Sequence, residues 1–184
     1  MLEAVNYLHK LNICHRDIKP SNFLVFDSDT NQPQIVLSDF GFSIQFSDGE
    51  KGEDFCGTPE YMAPEIYNYD PYGIEVGMWS LGISFYRILT SKSPFFLTTI
   101  MTKDLKNKIL KTNLNMENLN ELKISKEAID LILKMCTRNP KKRINAEDAL
   151  NHCWFDSIKS KSNEVSQISD AIQKGEKVIF DNLI

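Results

Sequence analysis

Eight consecutive residues, His15 to Asn22, carry side chains that together could move a proton and hold a charged group. Asp17 can accept a proton, and Lys19 can hold an anion beside it. Asn22 offers an amide oxygen, which is a suitable ligand for a hard cation. An acid, a base and an amide on one short loop suit phosphoryl transfer, because that reaction depends on positioning and charge neutralisation more than on covalent chemistry.

Short apolar runs surround this loop and predict the strands that would position it. Phe23 to Phe26 and Ile35 to Leu37 predict two strands joined by the polar turn 27–34. The second strand runs into Ser38-Asp39-Phe40-Gly41. Alone, an acid followed by Phe and Gly is more often only a turn. Close to the loop at 15–22, it adds a second carboxylate to the same region.

These motifs together resemble those of a protein kinase. The run from His15 to Asn22 is similar to the H-R-D-L-x-x-x-N catalytic loop, with Ile18 in place of Leu, and Asp39-Phe40-Gly41 is similar to D-F-G. Cys56 to Glu65 reads C-G-T-P-E-Y-M-A-P-E and resembles the end of a Ser/Thr kinase activation segment. Three motifs in the family order indicate a serine/threonine kinase. The stretch Ser125 to Phe155 resembles the calmodulin- and calcium-dependent group.

The resemblance implies roles for three residues in the transfer step. Asp17 would position the substrate hydroxyl and accept its proton, and Lys19 would contact the γ-phosphate. Thr58 would lie against both, as in kinases that act on Ser and Thr of protein substrates. Each residue alone has a structural interpretation, since a loop aspartate is more often a turn former and a surface lysine is usually solvated.

The resemblance also implies a site for ATP and Mg²⁺. Asn22 and Asp39 would hold the metal that bridges the phosphates, and two side-chain ligands suffice because Mg²⁺ keeps waters. Phe40 and Gly41 complete the D-F-G motif. Leu24 would form part of the floor beneath the adenine.

Four further residues match regulatory or structural positions of the family. Arg16, before the catalytic aspartate, implies control by a negatively charged activation loop. Asp54 stands where related kinases carry a phosphothreonine, so we predict that it pairs with Arg16 and makes phosphorylation less necessary. Glu65 and Arg143 match an ion pair that fixes the substrate-binding loop to the lobe. The alternative for Arg143 is a solvated basic turn.

The first helix is predicted at residues 1–10, where Leu2, Val5 and Leu8 recur at helical spacing. No Ser, Thr, Asp or Asn precedes it as a cap. We expect its apolar face, around Val5 and Leu8, to be uncovered.

The remaining pattern predicts a mainly α fold, an α+β kinase-like architecture limited to the C-lobe, in which a helical bundle carries short strands beside the catalytic loop. The stretch Glu75 to Leu89 is apolar around most of its circumference, so we expect a buried helix. Ser125 and Asn145 predict the N-caps of two later helices. The other predicted elements are a mobile surface loop at 42–56, a helix at Thr99 to Lys111 and a loop at Asn113 to Asn120.

Gly77 departs from the family pattern. The central kinase helix begins Asp-x-Trp-Ser, and here it reads Gly77-Met78-Trp79-Ser80. In the family, that aspartate accepts hydrogen bonds from backbone N–H groups of the H-R-D turn. Gly77 cannot, and an orphaned buried donor costs about 1–3 kcal/mol. Glu75 lies about 200° around the helix and is a poor substitute.

The resemblance covers residues 1–155 and only the large lobe. We assign residues 1–158 to an incomplete kinase domain and 159–184 to a C-terminal extension. The Gly-rich loop and V-A-I-K lysine of kinases have no counterpart here. We therefore expect a truncated protein or gene model that needs its own N-lobe. The extension is interpreted as a terminal helix or frayed end, or as the start of a regulatory segment for a calcium sensor or calmodulin.

Substrate preference is weakly marked. Acidic residues that favour Arg upstream of the phosphosite in related kinases are replaced here by Ser21 and Arg87, although Glu60 remains. We expect little preference for basic substrates. Two functions besides catalysis stay open: a pseudokinase or regulatory module, and a substrate-docking fragment that associates through the face around Val5 and Leu8.

Composition excludes several other classes of protein. The chain has 184 residues, of which 42% are hydrophobic and 25% charged, as in an ordinary single domain. A formal net charge of −4 argues against nucleic-acid binding. The four cysteines include no C-x-x-C pair, which favours free thiols. No apolar run reaches membrane-spanning length, and no signal peptide begins the chain, so we expect a cytoplasmic protein.

Overall fold

The computed structural model of the protein describes residues 1–26, 34–95 and 102–156. Residues 1–150 form one compact unit, and the chain from Asn151 forms a second, of which 151–156 are described. The predicted extension 159–184 lies outside the described residues. The α-helices in the described ranges are α1 Leu2–Lys10, α2 Pro64–Asn68, α3 Glu75–Thr90, α4 Thr102–Lys111, α5 Met116–Glu121, α6 Lys126–Met135 and α7 Ala146–Leu150. The strands are β1 Ile13–Cys14, β2 Phe23–Phe26, β3 Gln34–Leu37 and β4 Ile44–Gln45.

Helix α3 is the centre of the first unit, as its apolar circumference predicts. Trp79, Leu81 and Ile83 are almost wholly buried. The buried Ser84 hydroxyl is satisfied within the helix, because its Oγ donates to the Ser80 carbonyl one turn earlier, at 2.8 Å. Gly82 allows close packing on α6, since a Cβ at that position would lie 2.6 Å from the Cys136 sulfur. Helices α3 and α6 therefore pack closely.

Helix α1 begins without a side-chain cap, as predicted, but its apolar face is covered. Val5 is 0% and Leu8 is 8% exposed, because α1 packs on α7 and α3. Our expectation of an uncovered face around these two residues was wrong. The sequence pattern identified the apolar face, but not the later helix that covers it.

Two other expectations are corrected. The Asn-rich stretch predicted as a loop contains α5, because the Asn115 side chain caps it by accepting from Glu117 N at 3.0 Å and Leu119 is fully buried. The stretch 42–56, predicted as a mobile surface loop, contains β4, which pairs with β1. Its strand is only two residues long, too short for alternation to predict.

The predicted N-caps are present. Ser125 Oγ accepts from Ala128 N at 3.2 Å, and Asn145 Oδ1 accepts from Asp148 N at 2.8 Å. Helix α4 is described from Thr102, so the predicted start at Thr99 lies outside the described residues.

Strands β2 and β3 form the predicted antiparallel hairpin, with Phe23 opposite Leu37 and Phe26 opposite Gln34. The hairpin exposes large apolar side chains by 44–58% each. These residues, called the hairpin apolar residues below, lie on both faces of the hairpin because side chains alternate along a strand. They are Leu24, Val25, Phe26, Ile35 and Val36.

All four cysteines are free thiols. Burial raises the pKa of Cys14 and of Cys136 to about 12, which keeps both thiols neutral. In the described part of the chain, no helix is long and apolar enough to cross a membrane.

Candidate active site

The loop from His15 to Asn22 connects β1 to the β2–β3 hairpin. Arg16 and Asp39 both adopt left-handed backbone conformations, with φ of 66° and 63°. For residues other than glycine such conformations cost about 1–3 kcal/mol and are concentrated at functional sites. The two segments are joined because the Asn22 carbonyl accepts from Ser38 N and Ser38 Oγ, each at 2.8 Å. The hairpin thereby holds Asp39 beside the loop.

Asp17 has a buried side chain, only 3% exposed, and hydrogen bonds reach both of its carboxylate oxygens. Its Oδ1 accepts from Thr58 Oγ1 at 2.6 Å and from Thr58 N at 3.0 Å. Its Oδ2 accepts from Lys19 Nζ at 2.8 Å and from Asn22 Nδ2 at 3.2 Å. Four donors from three residues thus fix both carboxylate oxygens.

Burial of Asp17 opposes its ionisation, but these hydrogen bonds outweigh burial, above all those from Lys19 and Thr58, so its pKa lies below the ordinary value. The carboxylate is therefore charged at neutral pH. Lys19 Nζ also contacts Thr58 Oγ1 at 2.8 Å, which closes a triangle of three functional groups. An ammonium group has three donors, so a third remains to face an anion.

Gly57 allows Thr58 to reach this position. Its φ is +104°, and a Cβ there would collide with the Arg16 carbonyl oxygen. The close approach therefore requires glycine. The activation-segment motif and the catalytic loop meet at this point, although 41 residues separate Asp17 from Thr58.

Asn22 and Asp39 offer the oxygen donors that Mg²⁺ prefers. Asn22 directs its amide nitrogen at the Asp17 carbonyl, at 2.8 Å, and its amide oxygen has no hydrogen bond among the described residues. Asp39 is exposed, and a Cβ on Gly41 would lie 3.4 Å from its Oδ1. The described ranges contain no cluster of three or more His, Cys, Asp or Glu that could hold a metal alone. The donor set therefore fits an ion that also binds phosphate oxygens and water.

His15 and Phe40 connect the two motifs. The rings make an edge contact with centroids 4.8 Å apart, and His15 Nε2 lies 3.0 Å from the Ser38 carbonyl oxygen. Burial lowers the pKa of His15, so the imidazole is neutral at physiological pH. Leu24 is one of the exposed hairpin apolar residues.

Arg16 joins the loop to the activation segment. Its Nη1 donates to Asp54 Oδ2 at 2.8 Å and to the Tyr72 hydroxyl at 3.3 Å, and its Nε donates to the Phe42 carbonyl. Tyr72 donates in turn to the Asp54 carbonyl at 2.9 Å. The ring leaves no space for a Cβ on Gly52, whose backbone pairs with that of Tyr72. Tyr72 carried no sequence signal, because its partners are separated from it by 18 and 56 residues.

Glu65 and Arg143 form a buried bidentate ion pair. Arg143 Nη1 donates to Glu65 Oε1 at 2.7 Å, and Nη2 donates to Oε2 at 2.9 Å. Glu65 lies in the first turn of α2, directly after the activation segment. The alternative of a solvated basic turn for Arg143 is wrong, because its side chain is 0% exposed.

Side chains of other residues partly fill the space that a side chain at position 77 would occupy. A Cβ would lie 3.0 Å from His9 Nε2 and 3.2 Å from Ile18 Cδ1. His9 lies on α1 and was not predicted to belong to the site region. Its burial lowers its pKa to about 4, so a neutral imidazole stands next to the position of the family carboxylate.

The protein kinase domain family model matches residues 1–155. The chain belongs to the protein kinase family. It is 37% identical over 158 residues to death-associated protein kinase 2 of Homo sapiens, which covers 86% of this chain and 42% of that protein. It is 37% identical to myosin light chain kinase A of Dictyostelium discoideum, covering 97% of this chain and 58% of that protein.

A plant relative shows the same similarity. Calcium-dependent protein kinase 29 of Arabidopsis thaliana is 37% identical over 159 residues, which cover 86% of this chain and 29% of that kinase. The predicted resemblance to calcium-dependent serine/threonine kinases is therefore confirmed, and the similarity to a death-associated protein kinase is a finding of the comparison. The chain spans 29–58% of the length of these three relatives.

Proposed function

We propose that this chain is the large catalytic lobe of an ATP-dependent serine/threonine protein kinase. The observation that carries the proposal is the arrangement of Asp17, Lys19 and Thr58 within hydrogen-bonding distance of one another. The Asp17 carboxylate, charged at neutral pH, orients a substrate hydroxyl and accepts its proton. Lys19 holds the transferred phosphoryl group beside it, and Thr58 keeps the carboxylate aligned.

ATP and Mg²⁺ are the cofactors that fit this proposal. Bound together, they supply the phosphoryl group and neutralise charge on the phosphates. Asn22 and Asp39 would hold the metal through their side-chain oxygens, Phe40 and Gly41 would set the position of Asp39, and Leu24 would lie under the adenine. The hairpin apolar residues, which include Leu24, suit contact with the small lobe that would cover the nucleotide.

Regulation of this site would act through Arg16. Asp54 supplies a negative charge at 2.8 Å from its guanidinium group without phosphorylation. Tyr72 hydrogen-bonds to both partners, which would help to order the activation segment without phosphorylation. A calcium sensor or calmodulin is a proposed partner, because one relative is a calcium-dependent protein kinase.

A second candidate is a regulatory module without catalysis. The observation that favours it is Gly77, which removes the carboxylate that braces the loop in the family, with His9 and Ile18 near the vacant position. The hairpin apolar residues would then serve docking alone.

Phosphate transfer separates these candidates. The chain, and the protein extended upstream through a Gly-rich loop and V-A-I-K lysine, would be incubated with labelled ATP, Mg²⁺ and serine/threonine peptides. We expect Asp17→Asn to reduce transfer by the active form at least about 100-fold, because proton transfer by a positioned group contributes that much. The exposed Asp48→Asn is the matched control and should leave transfer unchanged. Equal transfer by the Asp17→Asn variant would rule out the catalytic proposal.

A further inference from the structure

An ion pair near the catalytic triangle has no part in the roles proposed above. Arg87, in the last turn of α3, donates from Nη1 to Glu60 Oε2 in the short 3₁₀ turn Pro59–Tyr61. The two side chains are 34% and 32% exposed, so a binding partner can reach both. The Arg87 guanidinium carbon lies 5.8 Å from the centre of the Tyr61 ring, which supports the side chain from one side.

The pair lies beside the place where a substrate must bind. Glu60 follows Thr58 by two residues, and Thr58 contacts Asp17 through both its backbone and its hydroxyl. Tyr61 is sensitive to the same charges: burial raises its pKa, Arg87 opposes that shift, and Glu60 and Asp17 add to it. A peptide whose hydroxyl reaches Asp17 would therefore lie close enough for its charged side chains to interact with Arg87 and Glu60.

The charges of the pair predict which side chains the peptide can present there. A basic side chain could reach Glu60 only by displacing Arg87, which is already tethered next to it, and it would meet the guanidinium charge. An acidic side chain finds a different situation. Among the described residues, Arg87 has a hydrogen-bond acceptor at its Nη1 nitrogen, which donates to Glu60. The N–H donors on its other guanidinium nitrogens remain available to a carboxylate.

We infer that Arg87 is a specificity-determining residue that directs this site toward protein substrates with an acidic side chain near the phosphorylated Ser or Thr. The inference rests on the proposed kinase function of the site. Arg87 neutralises Glu60, and its remaining N–H donors are available to a carboxylate beside Asp17 and Thr58. Exposed ion pairs contribute modestly, so the expected discrimination is about twofold to fivefold.

Peptide binding tests the inference without requiring phosphate transfer. Fluorescent peptides with one serine in a neutral background would carry a single Glu, Ala or Arg at successive positions on either side, and anisotropy would report their affinity for the protein. At one position we expect Glu to bind about twofold to fivefold more tightly than Ala, and Arg more weakly than Ala. Glu60→Gln should increase the preference for Glu, because it releases Arg87.

Charge reversal supplies the decisive comparison. Arg87→Glu should reverse the preference, so that the Arg peptide binds more tightly than the Glu peptide. Arg87→Gln should abolish the preference, and it replaces the reversal variant as the test if that variant does not fold. Lys134→Glu on α6 changes the net charge equally and is the matched control. An unchanged Glu-to-Arg affinity ratio in both Arg87 variants, or an equal change in the control, would overturn the inference. Peptide affinity is measured without phosphate transfer, so equal transfer by the Asp17→Asn variant would reject the catalytic proposal and leave this affinity ratio intact. The two proposals therefore fail separately.

Discussion

Replacement of Arg143 by alanine should destabilise the protein more than any surface substitution. The guanidinium group has five N–H donors, and the structure gives each nitrogen its full set of acceptors. Besides the two bonds to Glu65, Nε donates to Thr137 O at 2.8 Å, Nη1 to Glu75 O at 2.9 Å and Nη2 to Arg138 O at 3.3 Å. One side chain thus links Glu65 to two other backbone segments, at Glu75 and at Thr137 with Arg138.

The magnitude follows from what the substitution leaves behind. Glu65 is 6% exposed, and without Arg143 its carboxylate would remain buried and unpaired. Removal of one partner of a buried pair costs about 3–5 kcal/mol. Since small domains unfold with a free energy of about 5–15 kcal/mol, this is a large fraction of the total. Arg143→Lys keeps the charge but has three donors and no planar fork, so we expect an intermediate loss.

Urea unfolding followed by tryptophan fluorescence measures this effect, since Trp79 lies beneath the Arg143 guanidinium group, 5.5 Å from it. With a slope of about 2 kcal/mol per molar urea, a loss of about 3–5 kcal/mol lowers the midpoint by about 1.5–2.5 M. Lys142→Ala, at the exposed neighbouring position, is the matched control and should change stability by less than about 0.5 kcal/mol.

A double-mutant cycle tests the physical reason. Glu65→Ala with Arg143→Ala removes both charges, so the double variant should lose clearly less stability than the sum of the single variants. A loss below about 1 kcal/mol for Arg143→Ala would refute the claim that the pair is buried and energetically coupled. Additive single losses would refute the coupling alone.

Two further predictions concern activation and pH. Asp54→Ala should lower phosphate transfer. It should reduce the free energy of unfolding by less than about 1 kcal/mol, because Asp54 is 71% exposed. The adjacent Glu53→Ala is the control and should leave transfer unchanged; unchanged transfer in Asp54→Ala would reject the pairing of Asp54 with Arg16. Burial lowers the pKa of His9 to about 4. As the pH decreases, His9 is protonated in the unfolded state before it is protonated in the folded state. The free energy of unfolding should therefore fall by about 3 kcal/mol between about pH 6.5 and pH 4. The difference between wild type and His9→Gln in urea unfolding isolates this effect, and parallel pH profiles would contradict it.

Elements with strong periodicity or caps were predictable, whereas those decided by packing were not. The residues of α3 are apolar around most of the helix, and Ser125 and Asn145 are good N-cap residues, so local chemistry was sufficient. Helix α5 is different: its Asn-rich sequence has little periodicity, and burial of Leu119 decides its conformation.

The same distinction applies to the site. Asp17, Lys19 and Asn22 lie within six residues, so their types and spacing alone indicated phosphoryl transfer. His9 and Tyr72 were missed because each reaches the site from an element distant in the chain. The sequence identified the side chains that could act, but not the neighbours that hold them.

What the sequence by itself determined is the chemistry of the loop, because contiguous residues on a short connection must lie together in any fold. What only the tertiary structure decided is the set of contacts across long separations: 41 residues from Asp17 to Thr58, and 27 from Glu60 to Arg87. These contacts depend on how the activation segment packs on α3, where Ser80 Oγ donates to the Tyr61 carbonyl at 2.7 Å. That packing fixes Thr58 against Asp17 and places Arg87 beside the proposed substrate site.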